Sequence, residues 1–269
     1  MIILKLATWN INSLAVRLPQ LIAWLAQQPV DVLVLQETKL TDDKFPAAEI
    51  EAAGYHVAWF GQKTYNGVAL LCRQAAPQDI VRNIPGYDDH QARVIAATII
   101  GGPLGSAVRV VGAYFPNGQA PGSDKFAYKM RWLAALRGWL ADELARNPNL
   151  VLMGDFNIAP EDRDVCDPAA WAGQILCTDE ERGHFQNLLS LGLVDTFRQF
   201  EQPPGSWSWW DYRNLAFRRN QGLRIDHILV SEALAGRVSA CEIDKLPRKN
   251  ERPSDHAPVV VTLSWTTDG

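Results

Sequence analysis

Cysteine is scarce and scattered in this chain. Its four cysteines, Cys72, Cys166, Cys177 and Cys241, form no Cys-x-x-Cys pair and have no matching histidine pair, which excludes a zinc site and a disulfide framework. Reduced thiols are the expectation. No apolar run approaches the roughly 20 residues needed to span a bilayer. The N-terminus enters a strand with no basic stretch and apolar signal core ahead of it, so a cytoplasmic protein without a membrane partner is expected. Positive charge is not in excess either. A formal net charge of -4 and a pI near 5.7 exclude an overall basic coat for nucleic acid, but not a basic stripe on one face. The most basic stretches, Arg213 to Arg224 and Lys245 to Arg252, read alone as solvated surface loops. Linkers, low-complexity tracts and repeats of about 20–50 residues are also missing.

What is present is apolar bulk. Hydrophobic residues make up 47% of 269 positions, with ten Trp among them, enough for a sizeable core. Apolar runs at Ile2 to Ala7, Val30 to Leu35 and Leu150 to Met153 have the length and branching of buried strands. A helical stripe runs from Arg17 to Gln28, ended by Pro29, and a shorter helix from Lys44 to Ala53. His56 to Phe60 and Val68 to Cys72 flank an Asn66-Gly67 hairpin signal. Arg93 to Ile100 and Val108 to Ala113 read as paired strands across a Gly/Pro turn, and Asp124 to Asn147 as the longest helix. The segment from Leu150 echoes the first half, with further strands at 225–230 and 258–264, while 159–181 reads as irregular or short-helical loop. The expectation is one domain over 1–269, of α+β class, with two packed sheets and helices outside.

Each of the strongest runs stops at a polar cluster: Trp9-Asn10-Ile11-Asn12, Gln36-Glu37-Thr38 and Gly154-Asp155-Phe156-Asn157. Arg224-Ile225-Asp226-His227 and Ser254-Asp255-His256 belong with them. A lone Asn or Asp more often caps a turn or helix; five such clusters at strand ends are not accounted for that way. Glu37 is the best metal-ligand candidate, because a carboxylate directly after an apolar strand is costly to bury unless it is paired or binds a cation. Asn10, Asn12, Asp155, Asn157 and Asp255 add hard oxygen donors, which suit Mg²⁺ or Mn²⁺ rather than zinc. His256 suits a phosphate oxygen, and Asp226 would hold its ring and favour the imidazolium. His227, one step along the strand, points to the other face. Ser254 and His256 offer a serine-hydrolase alternative, but no Gly-x-Ser-x-Gly elbow accompanies them. These residue types together point to metal-assisted hydrolysis of a phosphate ester.

Taken in order, the clusters resemble the exonuclease III family of DNA-repair nucleases (apurinic/apyrimidinic endonucleases) of the endonuclease/exonuclease/phosphatase fold. The resemblance runs from Trp9 to about Trp265. Besides the clusters above it rests on Leu35-Gln36-Glu37-Thr38-Lys39, Tyr65-Asn66-Gly67, Tyr114-Phe115-Pro116-Asn117-Gly118, Trp209-Trp210-Asp211-Tyr212-Arg213, Gly222-Leu223-Arg224-Ile225-Asp226 and Arg252-Pro253-Ser254-Asp255-His256. It implies a four-layer α/β sandwich of two mainly antiparallel sheets flanked by helices. It implies that Glu37 binds Mg²⁺ or Mn²⁺ with Asn10 and Asp255, and Asn12 nearby. A second ion would fall near Asp155, Asn157 and His256. Asp155 would orient or deprotonate the attacking water, Asn157 stabilise the transition state, and His256 with Asp226 contact the scissile phosphate. Tyr114 would donate to the same phosphate; by itself a strand-end Tyr reads as core.

By the same resemblance Trp209, Leu223 and Ile225 wall a pocket for a flipped baseless sugar, whereas Trp207 and Trp210 read as core. Asn117 and Lys125 match positions near the phosphate. Lys63, Arg93, Lys129, Arg213, Arg218 and Arg219 are candidates for backbone phosphates of duplex DNA. The chain departs from its relatives mainly at 162–183, where the apolar Leu176 would occupy space a smaller residue leaves open. The expected partner is therefore duplex DNA with damaged, nicked or recessed 3′ ends, processed as a 3′–5′ exonuclease and 3′-phosphatase by a monomer. Abasic-site incision is the lesser expectation. A same-fold phosphoesterase on inositol phosphates or other small substrates shares the phosphate-handling frame, and an inactive binding protein would lack one of Glu37, Asp155, Asp226 and His256.

Overall fold

The computed structural model describes residues 2–100 and 107–265. The Gly/Pro turn expected after Ile100 lies outside the described residues. In chain order the elements are β1 (Ile2–Asn10), α1 (Leu14–Gln27), β2 (Val32–Gln36), α2 (Ala47–Ala52), β3 (His56–Phe60), β4 (Val68–Cys72), β5 (Gln78–Arg82), β6 (Val94–Ile99) and β7 (Val108–Tyr114). They continue with α3 (Asp124–Arg146), β8 (Leu150–Asp155), α4 (Pro168–Trp171), α5 (Asp179–Leu189), β9 (Leu193–Asp195), β10 (Asp226–Ser231), α6 (Glu232–Ala235), β11 (Val238–Ile243) and β12 (Val259–Trp265).

The strands form two six-stranded sheets, ordered β11-β12-β1-β2-β4-β3 and β5-β6-β7-β8-β10-β9. The first is built around a parallel pair, β1 and β2, joined across α1; the second around β7 and β8, joined across α3. The other pairings are antiparallel. A parallel pair needs a crossover, and here each crossover helix covers the outer face of its own sheet. Leu4, Leu6, Val32, Val34, Val110, Val151, Met153, Ile228 and Val230 fill the layer between the sheets. Their strand neighbours point outward. Ala7, Trp9, Leu33 and Leu35 pack under α1, and Val111, Leu150, Leu152 and Leu229 join the core that takes in α3 and α5. With both faces covered, the central strands read as continuous apolar runs. This is the four-layer sandwich expected, its sheets mainly antiparallel with one parallel pair in each.

Differences from expectation have local causes. The β3–β4 hairpin forms, but Asn66-Gly67 is not its tip. Those two carbonyls accept from Lys39 N and Thr38 N, bracing the segment after β2. α5 was signposted by a capping box: Thr178 Oγ1 accepts from Glu181 N, and the Glu181 side chain reaches back to Thr178 N. β5 is an edge strand with mostly exposed residues and no apolar alternation to reveal it.

The two sheets approach closely at Gly112, where an added Cβ would lie 2.3 Å from Val34 Cγ1. Gly112→Ala should destabilise by about 1–3 kcal/mol, read as a lower melting temperature; an unchanged value would show that the sheets can part there.

Candidate active site

The inner faces of both sheets stop being apolar at the same end. On the second sheet Tyr114 stands in register opposite Asp155, and Asp155 opposite Asp226. Directly opposed residues share a face, so one phenol and two carboxyls form a row continuing the inner series Val110, Val151, Met153 and Ile228. On the first sheet Asn10 stands opposite Gln36, at the end of the series begun by Leu4 and Leu6. Glu37 follows with a left-handed φ of +53°, a conformation a non-glycine residue keeps only when its surroundings hold it. Its carbonyl accepts from Ser13 N, and Thr38 N and Lys39 N bond to Gly67 and Asn66. His256 sits just before β12, its backbone N–H on Ser254 Oγ, which itself donates to the Asn10 carbonyl.

These side chains form one hydrogen-bonded network. Asn10 Nδ2 donates to Glu37 Oε1 at 2.9 Å and to Asp155 Oδ2 at 2.9 Å. Its own oxygen accepts from Asn12 N, so Asn10 bridges two carboxylates rather than presenting an oxygen to the cleft. Tyr114 OH donates to Glu37 Oε1 at 2.9 Å. Asp155 Oδ1 accepts from Asn157 N, and Asn157 Oδ1 from Asn117 Nδ2. His256 Nδ1 lies 2.9 Å from Asp226 Oδ2, and its Nε2 faces Asp155 Oδ2 at 3.7 Å.

Burial and pairing set the protonation states. Burial alone would neutralise His256, but the Asp226 and Asp155 carboxylates outweigh it and push the ring up to about 10. Burial pushes Asp155 up to about 7, with His256 opposing and Asp226 adding to the rise. Burial also works against charge on Glu37, yet Lys39 and the Asn10 amide hold its carboxyl below the ordinary value. Burial, followed by the Glu37 and Asp155 carboxylates, keeps the Tyr114 phenol well above its ordinary range, so it remains a donor. The site therefore has an imidazolium and a phenol that can give hydrogen bonds, beside a carboxyl poised near neutrality.

The donor set fits a hard cation at Glu37. Glu37 Oε2 and Asn12 Oδ1 already hold one, the Lys39 ammonium, at 2.8 and 2.5 Å. Oxygen donors of this kind suit Mg²⁺ or Mn²⁺. Asp155, Asp226 and His256 also bring ligand atoms within 4.8 Å of one another, near where a second ion was expected.

A second arm reaches the substrate-contact candidates. Asn12 Nδ2 donates to Asp255 Oδ1, and Trp209 Nε1 to Asp255 Oδ2. Trp209 packs against a buried cluster of Ala159, Val165, Leu176, Cys177, Leu223 and Ile225. Leu176, on the 162–183 loop, is 4% exposed at a φ of +75° and packs within that cluster. Trp207 and Trp210 lie in a separate buried cluster, as expected of core. Lys125 is exposed and lines, with Tyr114, Asn117 and Tyr65, a cavity of about 570 Å³ beside the row. Lys63, Arg213, Arg218 and Arg219 are exposed, and Arg213 pairs with Asp211.

Several cations expected at the surface are not there. Lys129 is fully buried. Arg93 is buried under Tyr114, its guanidinium 5.0 Å from that ring and its Nη1 on the Tyr114 carbonyl. Lys129 is therefore not a phosphate contact in this arrangement, whereas Arg93 also lines the cavity beside Tyr114. Arg224 and Arg248, from the stretches read as solvated loops, are buried too. Arg224 pairs with Asp164 and Asp195, and Arg248 donates to the Ser254 carbonyl. His227 points away, as expected, between Phe156 and Phe185. Lys39 and Ser208 were not singled out; Ser208 Oγ accepts from Ile225 N and Asp226 N. Lys39 sits two residues past the metal-ligand candidate, which was the available signal.

A two-sheet sandwich whose inner layer ends in acids, amides and an imidazole defines a class of phosphate-handling hydrolases. The Endonuclease/Exonuclease/phosphatase family profile matches residues 7–256, and the chain belongs to that family. It is 38% identical over 265 residues to exodeoxyribonuclease III of Haemophilus influenzae, covering 95% of this chain and 98% of that one. A Neisseria meningitidis structure described as a 3′–5′ exonuclease is 51% identical, with a TM-score of 0.93 over 97% of this chain and 100% of that one. The same Neisseria protein is also described as a 3′ phosphatase bound to a product DNA hairpin. An AP endonuclease from Archaeoglobus fulgidus is 35% identical at a TM-score of 0.91, over 97% of this chain and all 100% of that one.

Turnover should rise as pH passes about 7, where Asp155 becomes an acceptor, and fall as it passes about 10, where His256 loses its second proton. Asp226→Asn removes the charge that keeps the ring protonated. Its alkaline limb should move to lower pH and kcat fall roughly 100- to 10,000-fold; a limb that stays in place would contradict the pairing.

Proposed function

We propose that this chain is a metal-dependent DNA-repair phosphodiesterase of exonuclease III type. It would trim 3′ ends of duplex DNA as a 3′–5′ exonuclease and 3′-phosphatase, with abasic-site incision the weaker activity. The observation that carries this reading is the row of Tyr114, Asp155 and Asp226 with His256 above it, next to a packed apolar cluster in which Leu176 sits with Trp209, Leu223 and Ile225. The Neisseria and Haemophilus relatives support the substrate class. A phosphate at a 3′ end needs only the polar row. A flipped, baseless sugar would need room among Trp209, Leu223 and Ile225 as well, and Leu176 is packed with them.

In this reading Asp155 takes the proton of the attacking water, held in position by Asn10 and Asn157 N. His256 and Asn157 face the non-bridging phosphoryl oxygens, where charge accumulates in the transition state. Tyr114, kept protonated, donates beside Glu37. Glu37, with Asn12 and Asp255 nearby, would hold a Mg²⁺ or Mn²⁺ ion, which when bound neutralises charge on the phosphate and leaving oxygen. Lys125, Asn117, Arg213 and Arg218 would follow the DNA backbone without reading its sequence. We take residues 1–269 as one domain, because β1 at one end of the chain pairs with β12 at the other. We take the acting form as a cytoplasmic monomer. Among the described residues no helix is long and apolar enough to cross a membrane.

Labelled duplexes carrying a 3′-phosphate at a nick, a recessed 3′-hydroxyl or an internal abasic site test the reading, each with Mg²⁺ and with chelator. Loss of the 3′-phosphate and end-trimming should outpace abasic cleavage, and chelation should stop all three. Leu176→Gly suits the left-handed backbone at that position and should raise abasic incision relative to 3′-phosphatase activity by roughly 10- to 100-fold. Abasic cleavage that is fastest in the wild type, or activity that survives chelation, would overturn the reading.

A further inference from the structure

α3 carries a buried charge to which the chemistry above assigns no role. Lys129 and Glu181 pair with side chains that are both 0% exposed. The three ammonium hydrogens have three acceptors: the Glu181 carboxylate, the Asn117 carbonyl at 3.2 Å and the Asn157 carbonyl at 2.7 Å. The carboxylate in turn accepts from Leu176 N at 3.1 Å, Thr178 N at 3.1 Å and Thr178 Oγ1 at 2.8 Å. Burying such a pair is a poor source of stability, since apolar residues of similar volume often do as well. The acceptors suggest another use, because the two carbonyls belong to the two asparagines at the phosphate site.

Both halves of the pair hold strained backbone. Asn157 has a φ of +49° and Leu176 a φ of +75°, conformations that persist only where surroundings fix them. Asn157 N carries the Asp155 carboxylate, and its side chain is locked between Asn117 Nδ2 and the Phe115 carbonyl. Leu176 packs in the apolar cluster with Leu223, Ile225 and Trp209. One ion pair therefore ties the two asparagines of the phosphate site to the loop that carries Leu176.

We infer that Lys129 and Glu181 are positioning residues that set Asn117 and Asn157 at the phosphate site and couple them to the Leu176 loop. Catalytic rate and substrate choice are then adjusted together. The inference rests on the 3′-end-processing reading above.

Four variants test it: Lys129→Arg, Lys129→Met, Glu181→Gln and the double variant Lys129→Met with Glu181→Leu. Each is compared with wild type for melting temperature, for kcat and KM on a nicked 3′-phosphate duplex, and for relative abasic cleavage. Lys129→Met and Glu181→Gln should lose roughly 10- to 100-fold in kcat, with KM within about twofold, and should shift the abasic-to-phosphate ratio. Lys129→Arg should recover part of the loss. The double variant, with no buried charge left unpaired, should regain melting temperature while kcat stays low, because the two carbonyls still lack a donor. Recovery of kcat together with stability in the double variant would reduce the pair to a structural role and overturn the inference. So would unchanged kcat and unchanged substrate ratio in Lys129→Met. A wild-type chain inactive on both DNA substrates would instead overturn the underlying reading, and this inference with it.

Discussion

The contact between Asp226 and His256, closed over by Asp155, is the interaction on which the site depends. Three ionisable groups are withdrawn from water at one end of the inter-sheet layer, where an isolated charge is costly. They are tolerable together because Asp226 lies 2.9 Å from one ring nitrogen while Asp155 faces the other at 3.7 Å. Removing one member of a buried pair leaves the other uncompensated, which typically costs about 3–5 kcal/mol. The network is correspondingly rigid. It can be aimed at a substrate because it does not have to rearrange when charge develops there.

The sandwich delivers these groups by a simple repetition. In each sheet a parallel pair crosses over through a helix, and the paired strands end side by side. The inner face is apolar through Leu6, Val34, Val110 and Met153, then turns polar at Asn10, Gln36, Tyr114 and Asp155. The same alternation that builds the core therefore places the site at its edge. Turns leaving the strands carry the strain, with left-handed backbone at Asn12, Glu37 and Asn157. The side chains of Asn10 and Asp155 accept from Asn12 N and Asn157 N, and the Glu37 carbonyl accepts from Ser13 N.

Much of this was legible beforehand, for a physical reason. Strand runs, their polar endings and the two sheets follow from periodicity, which is local information. The positions of Asn10, Glu37, Asp155, Asp226 and His256 followed from the same runs. What escaped was which surface a cation lies on. Lys129 and Arg224 look like solvent-facing charges in sequence, but their partners Glu181, Asp164 and Asp195 lie far along the chain. Arg93 was hidden likewise, since only the register of β6 against β7 places it under Tyr114. Pairing across tens of residues leaves no periodic trace. The roles expected of Tyr114 and Leu176 came from family resemblance and not from their surroundings in the chain.

The central claim is that His256 carries a positive charge at neutral pH because two carboxylates flank it. Nitrogen-15 NMR of imidazole-labelled protein measures this directly, with the His256 signal assigned by its loss in His256→Gln. At about pH 8 the ring should still carry protons on both nitrogens, given a pKa pushed up to about 10. A neutral ring at that pH, protonated at one nitrogen, would contradict the account.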